Sequence, residues 1–182
     1  MKIVNVYSKE NPIINEDSSP KTEKAVYITF KKKGFKENEH FEKQKDIDNI
    51  PFCKRKKHKV DLILNNKEGE KLYVEIKGHM TYLEVNKLRY LLEKTPYNFY
   101  ILQLTEIDWI IPYEKSEFKF KTLKSKYDFE KQMGELVKFI EGTIAGNELS
   151  EISKKRLKDY INYRRKDLKR WKVEADHMAN NR

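Results

Sequence analysis

The sequence predicts an α/β protein in which a central mixed β-sheet is flanked by helices and followed by a basic C-terminal helical extension. Runs of β-branched and aromatic residues typical of strands alternate along the chain with segments whose apolar residues recur at helical spacing. Of the 182 residues, 38% are apolar and 12% aromatic, which is enough for a core and argues against disorder. The length corresponds to one domain with an appendage, which we assign to residues 1–147 and 148–182.

One helix is predicted in the N-terminal part of the chain. Residues 1–7 alternate loosely between apolar and polar and are interpreted as a strand. Ser19 and Pro20 then provide an N-cap and a first-turn proline, and Gly34 provides a C-terminal stop. These signals predict a helix over residues 20–33.

The middle of the chain carries the clearest local pattern. Residues 59–64 and 71–77 are strand-like runs, and segment 65–70 between them has turn composition, so the sequence predicts a β-hairpin. Thr81 and Glu84 then form a T-x-x-E capping box, which predicts the start of an amphipathic helix.

The second half of the chain continues with strands and then helices. Residues 97–104 are typical of a buried strand and residues 107–111 of a shorter one. The apolar spacing within residues 127–141 predicts an amphipathic helix, and Ser150 is expected to cap a last long helix.

The composition of the chain indicates which class of molecule the protein binds and excludes several kinds of site. There are 39 Lys and Arg residues against 29 Asp and Glu residues, a formal net charge of +10, which favours a polyanionic partner. The single cysteine excludes an intramolecular disulfide framework and a multi-cysteine zinc site. No apolar stretch is long enough to span a membrane, and the first residues are too polar for a signal peptide, so we expect a cytoplasmic protein without a membrane partner.

The predicted hairpin places two carboxylates side by side. Side chains alternate across a strand, so Glu75 and Lys77 share the face opposite to the apolar residues of the second strand. The apolar set of the first strand is formed by Val60, Leu62 and Leu64. Asp61 therefore lies on the other face, and if both apolar sets share one core, the turn length aligns Asp61 with Glu75.

Neighbouring carboxylates such as Asp61 and Glu75 repel each other and require a cation or a shared proton. Hard oxygen ligands with open positions suit Mg²⁺ or Mn²⁺, which retain waters and bind substrate phosphates. A bound metal ion lowers the pKa of water and polarises a phosphoryl oxygen. Lys77, two residues after Glu75, could orient or deprotonate the attacking water, or neutralise charge on a phosphorane.

Asp61, followed fourteen positions later by Glu75-Ile76-Lys77 and then by the capped helix and the next buried strand, resembles the PD-(D/E)XK nuclease superfamily. The resemblance covers residues 20–105 and is closest to small phage-type and resolvase-like endonucleases. It implies a restriction-endonuclease-like core, and Mg²⁺, with Mn²⁺ as an alternative, held by Asp61, Glu75 and the Ile76 carbonyl. Lys77 would be the catalytic lysine. The same resemblance makes Glu23, on the preceding helix, a candidate further ligand.

Basic residues surround these acidic positions in the sequence. The cluster KRKKHK leads directly into Asp61, and further cations lie on the capped helix and in the C-terminal segment. Each group also fits a solvated surface, but its functional interpretation is contact with phosphates. The candidate nucleic-acid-binding residues are Lys54, Arg55, Lys56, Lys57, Lys59, Lys87, Arg89, Arg164 and Arg165.

Together these features predict an Mg²⁺-dependent endonuclease that hydrolyses DNA phosphodiesters. A homodimer is expected, because cutting two strands requires two sites. Two alternatives stay open. An RNA endonuclease of the same fold would use the same metal chemistry, and a non-catalytic nucleic-acid-binding module would use the charged face without cleavage.

Overall fold

The order of helices and strands is that of an α/β protein. The structure is a computed structural model, and it describes residues 21–48, 50, 57–111 and 117–165. The strand predicted over residues 1–7 lies outside the described residues. In chain order the elements are α1 (Lys21–Lys32), β1 (Phe41–Asp48), β2 (Lys57–Asn65), β3 (Lys71–Lys77), α2 (Tyr82–Lys94), β4 (Phe99–Gln103), β5 (Ile107–Ile111), β6 (Glu117–Phe120), α3 (Leu123–Ile140) and α4 (Gly146–Arg164).

The main sheet has four strands in the order β1-β2-β3-β4. The first two pairings are antiparallel and the β3–β4 pairing is parallel, so the sheet is mixed, as predicted. In the β2–β3 hairpin Leu62 lies opposite Val74, and Leu64 lies opposite Leu72. This is the register that the apolar alternation and the turn length predict. Strands β5 and β6 form a separate antiparallel pair.

Helices cover both faces of the main sheet. One buried cluster joins α1 and α3 to the sheet and includes Phe30, Leu62 and Leu136. A second cluster joins α2 to the opposite side and includes Leu88 and Ile101. Helix α4 contributes Leu149 to the first cluster and Leu157 to the second, so this helix packs into the fold. The division of the chain after residue 147 stays a prediction.

Val60 does not follow the predicted alternation. Leu62 and Leu64 belong to the first cluster, whereas Val60 packs in the second cluster with Ile63. The prediction that all three apolar residues of β2 share one face was therefore wrong at Val60. The physical reason is an interruption of strand pairing at Asp61, which is described with the site below.

Two predicted helix starts differ from the structure because of their caps. Helix α3 begins four residues earlier than predicted, since the Thr122 hydroxyl accepts a hydrogen bond from the Ser125 amide at 3.1 Å. Ser150 is not a cap but a buried residue inside α4. The amide of Gly146 at the start of α4 instead donates to the Glu70 carboxylate at 2.9 Å, a cap supplied from a distant segment. The capping box of Thr81 and Glu84 is present as predicted.

Strand β4 is the outer strand of the sheet, and side chains from two helices satisfy its outer backbone edge. The Ile101 amide donates to the Ser153 hydroxyl at 3.0 Å. The Gln132 side chain bonds both the amide and the carbonyl of Gln103, each at 2.8 Å. These bonds fasten α3 and α4 to the sheet and protect an edge that could otherwise pair with another chain. In the part of the chain that the structure describes, no helix combines the length and the apolar composition needed to cross a membrane.

Candidate active site

The acidic and basic residues predicted on the hairpin converge. The Lys77 ammonium lies 3.1 Å from a carboxylate oxygen of Glu75 and 3.7 Å from one of Asp61. Asp61 and Glu75 are buried, and 22% of the Lys77 side chain is exposed to solvent. The structure therefore joins both predicted carboxylates through a single ammonium group.

The backbone of β2 explains how Asp61 reaches this position. Pairing of β2 with β3 ends at Leu62, and one residue further the Ile76 amide donates to the Asp61 carboxylate at 2.8 Å. The pairing of β1 with β2 skips Gln44, whose φ of 53° lies in the left-handed region. The pairing of β2 with both neighbouring strands is thus interrupted at Asp61. The Asp61 carboxylate, in place of a backbone carbonyl, accepts the hydrogen bond from the Ile76 amide.

Glu75 has a second partner that the sequence analysis did not identify. His58 Nε2 lies 2.5 Å from Glu75 Oε1, and both side chains are almost completely buried. Burial alone would raise the pKa of Glu75, but the hydrogen bond to His58 and the charge of Lys77 hold this pKa below its usual value. Glu75 is therefore a carboxylate. The alternation of side chains along β2 could have identified His58. Lys57 and Lys59 are exposed, so the side chain of His58 between them points inward, as that of Val60 does.

Lys77 and Asp61 influence each other's protonation. Burial would lower the pKa of Lys77, but the carboxylates of Glu75 and Asp61 raise it above its usual value. Lys77 is therefore an ammonium at neutral pH, and in this arrangement it neutralises charge or orients a water molecule instead of removing a proton. Burial and the charge of Glu75 raise the pKa of Asp61, although Lys77 and the Ile76 amide oppose the shift.

Glu23 lies next to these residues on α1. Its Oε2 accepts hydrogen bonds from the Gln44 amide at 2.7 Å and from the Tyr27 hydroxyl at 3.3 Å. The same Tyr27 hydroxyl is 3.1 Å from the main-chain oxygen of Asp61, so one side chain links α1 to β2. Burial, followed by the charge of Asp61, raises the pKa of Glu23 to about 7 despite these hydrogen bonds. The sequence predicted Glu23 here but not Tyr27 or Gln44.

The donor atoms at this site are of the class that a hard divalent cation binds. Carboxylates of Glu23, Asp61 and Glu75 and the carbonyl of Ile76 would supply oxygen ligands. Within residues 21–48, 50, 57–111 and 117–165, however, no group of three or more His, Cys, Asp or Glu side chains is placed to hold a metal ion. The oxygens of Glu75 are directed to His58 and Lys77. The donor chemistry fits Mg²⁺, and binding would require Glu75 or Lys77 to exchange partners.

The basic cluster before Asp61 is only partly described. Lys54, Arg55 and Lys56 lie outside the described residues. Lys57 and Lys59 are exposed on β2, which begins two residues before the predicted strand, and Lys57 is 3.7 Å from Asp48. Both lysines are therefore on the strand that carries Asp61.

The remaining predicted cations lie on helices. On α2, Lys87 is half-buried and Arg89 is exposed. Arg89 and Arg165 line a groove of about 580 Å³ between α2 and α4. Arg164 lines a different groove, of about 650 Å³, so the structure separates the two consecutive arginines. Contact with nucleic acid stays a prediction for all four.

No family model, curated protein or solved structure matches the chain. The function must therefore be argued from the residues of the site itself. The described geometry supplies three buried carboxylates, one ammonium and one imidazole on the two inner strands of the mixed sheet and on α1.

Proposed function

We propose that this protein is an Mg²⁺-dependent endonuclease that hydrolyses DNA phosphodiesters, with Mn²⁺ as an alternative ion. The observation that carries the proposal is the convergence of Asp61 and Glu75 on Lys77 at the interrupted pairing of β2. These are the residues that the resemblance to PD-(D/E)XK nucleases assigns to the metal and to catalysis.

The order of elements supports the same superfamily. A helix carrying Glu23 precedes the hairpin that carries Asp61 and Glu75, and a capped helix and a parallel strand follow it. The resemblance implies the capped helix and the strand after the hairpin, and a glutamate on the helix before it. A restriction-endonuclease-like core is therefore the proposed fold family.

Each residue of the site has a defined role in this proposal. Asp61, Glu75 and the Ile76 carbonyl would hold the ion, with Glu23 as a further ligand. When bound, a divalent ion supplies positive charge to the phosphate and lowers the pKa of the attacking water. The Lys77 ammonium would stabilise the negative charge that develops on the phosphorane. The resemblance implies products with a 5′-phosphate and a 3′-hydroxyl.

The charge of the chain supports a nucleic-acid substrate. The net charge of +10 attracts a polyanion, and exposed Lys57 and Lys59 lie on the same strand as Asp61. We expect these lysines to contact phosphates beside the scissile bond. RNA stays an alternative substrate because the metal chemistry does not distinguish the sugars. A homodimer would supply the two sites that cleavage of both strands requires.

A second candidate function is nucleic-acid binding without cleavage. The observation that favours it is the burial of Glu75 between His58 and Lys77, because a buried ion-pair cluster of this kind can be purely structural. In that case the basic surface would bind nucleic acid, and the acidic residues would only hold the hairpin to its neighbours.

Cleavage of supercoiled plasmid in the presence of Mg²⁺ or Mn²⁺ tests the proposal, with EDTA as the negative control. We expect Lys77→Ala and Asp61→Asn to reduce the cleavage rate at least about 100-fold. DNA binding measured in EDTA should change little, since neither residue is placed as a phosphate anchor. Lys138→Ala is the matched control, because Lys138 is an exposed lysine in the last turn of α3.

The outcomes separate the candidates. A Lys77→Ala variant that cuts like the wild type would refute the assignment of the site. Binding without cleavage under either metal would support the second candidate. Cleavage of structured RNA but not of DNA would identify the RNA endonuclease.

A further inference from the structure

The groove of about 580 Å³ between α2 and α4 carries an excess of positive charge. Five cations and two carboxylates are among the described residues that line it. One of the carboxylates, Glu151, is already paired with Lys154 at 2.7 Å. No residue assigned to the candidate active site is among the described residues of the groove. The groove is therefore a second charged surface, distinct from the site around Lys77.

The four cations other than Lys154 are exposed, and within the described part of the chain no ion pair engages them. Three of them are separated by three and seven positions on α4, which places them on one side of this helix over about 15 Å of its axis. The fourth is on α2. We call these residues the groove cations, and they are Arg89, Lys155, Lys158 and Arg165. Two helices thus present uncompensated positive charge to one groove.

The backbone around the groove does not suit a free nucleotide or a single phosphate ion. Such a group is typically held by amides at a helix N-terminus or in a loop. The described residues that line the groove lie inside α2 and α4 or, in the case of Arg165, at the end of α4, so their amides are bonded within the helices. What remains is a row of side-chain cations, which suits an extended polyanion.

The side chains of the groove favour the backbone of a duplex over unpaired bases. Unpaired bases are typically bound by stacking on aromatic rings, and no aromatic residue is among the described residues that line this groove. Phosphates need only an excess of cations, because their neutralisation supplies the affinity. The groove therefore has the charge for duplex phosphates and lacks the rings for bases.

An anionic membrane surface fits the same charges less well. A helix that binds a membrane surface also inserts exposed apolar side chains into it. In this groove Leu92 and Leu157 are buried in the fold. Leu83, which is 50% exposed on α2, is not among the residues that line the groove. The apolar residues of the groove are thus used for packing the two helices.

We propose that this groove binds the phosphate backbone of double-stranded nucleic acid through the groove cations, as an anchor that needs no divalent ion. The choice of nucleic acid among polyanions rests on the proposed function. The anchor would hold a duplex independently of its sequence, and it would add affinity without taking part in the chemistry.

Fluorescence anisotropy of a labelled duplex with the full chain in EDTA tests the anchor without requiring cleavage. We expect Lys155→Ala/Lys158→Ala to weaken binding about 10-fold to 60-fold at about 0.1 M salt, since each phosphate contact contributes a factor of up to about 8. The slope of log K against log salt should fall by about 2, and for Arg89→Ala by about 1. The loss should be the same for duplexes of different sequence.

Lys126→Ala/Lys138→Ala is the matched control, because it removes the same charge from exposed positions of α3 that are not among the groove residues. We expect its affinity to change less than about 2-fold, since charges that contact no phosphate are screened by salt. The proposal is overturned if Lys155→Ala/Lys158→Ala binds the duplex like the wild type, or if the control loses as much affinity. An unchanged salt slope would also overturn it.

Vesicles that contain phosphatidylserine test the membrane alternative. Binding to these vesicles that depends on Lys155 and Lys158, with unchanged duplex binding, would overturn the proposal in favour of a membrane surface. The plasmid assay separates the anchor from the nuclease. Duplex binding that depends on the groove cations, without cleavage of any substrate, would support the anchor and refute the nuclease. Cleavage by Lys155→Ala/Lys158→Ala with the KM and kcat of the wild type would do the reverse.

Discussion

Replacement of His58 by Leu tests whether Glu75 depends on the imidazole for its ionised state. Only 2% of the Glu75 side chain and 4% of the His58 side chain are exposed, and the two are 2.5 Å apart. Removing the hydrogen-bond partner of a buried charged group costs about 3 kcal/mol or more. Because Lys77 remains 3.1 Å from Glu75, we expect a smaller loss of about 2–3 kcal/mol. His58→Gln, which can still donate a hydrogen bond, should lose about 1 kcal/mol.

Urea unfolding followed by circular dichroism at pH 7 and pH 3 measures this effect. In the wild type the lowered pKa of Glu75 stabilises the fold above the pKa of the unfolded chain, and this stability is lost as the pH falls through the pKa of the folded state. His58→Leu removes the main cause of the lowering, so its destabilisation should be greater at pH 7 than at pH 3. Exposed His79→Leu is the control, with an expected change below about 0.5 kcal/mol. A His58→Leu variant as stable as this control would refute the reasoning.

Two further predictions concern the other charges of the site. The raised pKa of Glu23, about 7, means that the folded state keeps a proton that the unfolded chain releases near pH 4.5, so this residue lowers stability as the pH rises through that interval. Glu23→Gln should flatten the decline when urea unfolding is measured from pH 4.5 to pH 8; an unchanged slope would contradict the assignment. Lys77→Met should bind Ca²⁺ or Mg²⁺ more tightly than the wild type in calorimetry, because the ammonium now lies between Asp61 and Glu75. Equal affinities would show that the amine and the ion do not compete.

The hairpin and its register could be predicted because two local constraints act together. Apolar alternation allows only pairings that keep both apolar sets on one face, and the turn length selects one of them. The observed pairing of Leu62 with Val74 satisfies both constraints. The capping box at Thr81 is equally local, since its hydrogen bonds join residues three positions apart.

Strand β1 could not be predicted, because it is the other outer strand of the sheet, opposite β4, and its sequence is mostly charged. Only Phe41 and Ile47 are buried in it, and they lie six positions apart, which gives no recognisable period. Its structure depends on backbone pairing with β2. The cap of α4 by Glu70 likewise depends on contact between distant segments.

The residues of the candidate site also fall into those that local sequence patterns predict and those that depend on contacts between distant segments. The shared face of Glu75 and Lys77 follows from the alternation of β3. Asp61 does not reach them by the predicted pairing with Glu75, because the pairing of β2 with β3 ends at Leu62; its carboxylate instead accepts a hydrogen bond from the Ile76 amide. The contact between His58 and Glu75 could not be predicted either, because no register relation connects the two residues. Gln44 donates to Glu23 from β1, and its backbone lies in the left-handed region. A glutamine in the sequence does not predict that conformation.

The charges of the site are unevenly neutralised, and this asymmetry indicates where a cation is most needed. Glu75 has His58 and Lys77 as partners, and its pKa is lowered. Burial, followed by the charge of Asp61, raises the pKa of Glu23, and burial, followed by the charge of Glu75, raises the pKa of Asp61. Negative charge that lacks compensation therefore lies on the side of α1. We expect a divalent ion to approach Asp61 from this side, to release the proton of Glu23, and to leave the contact between His58 and Glu75 in place.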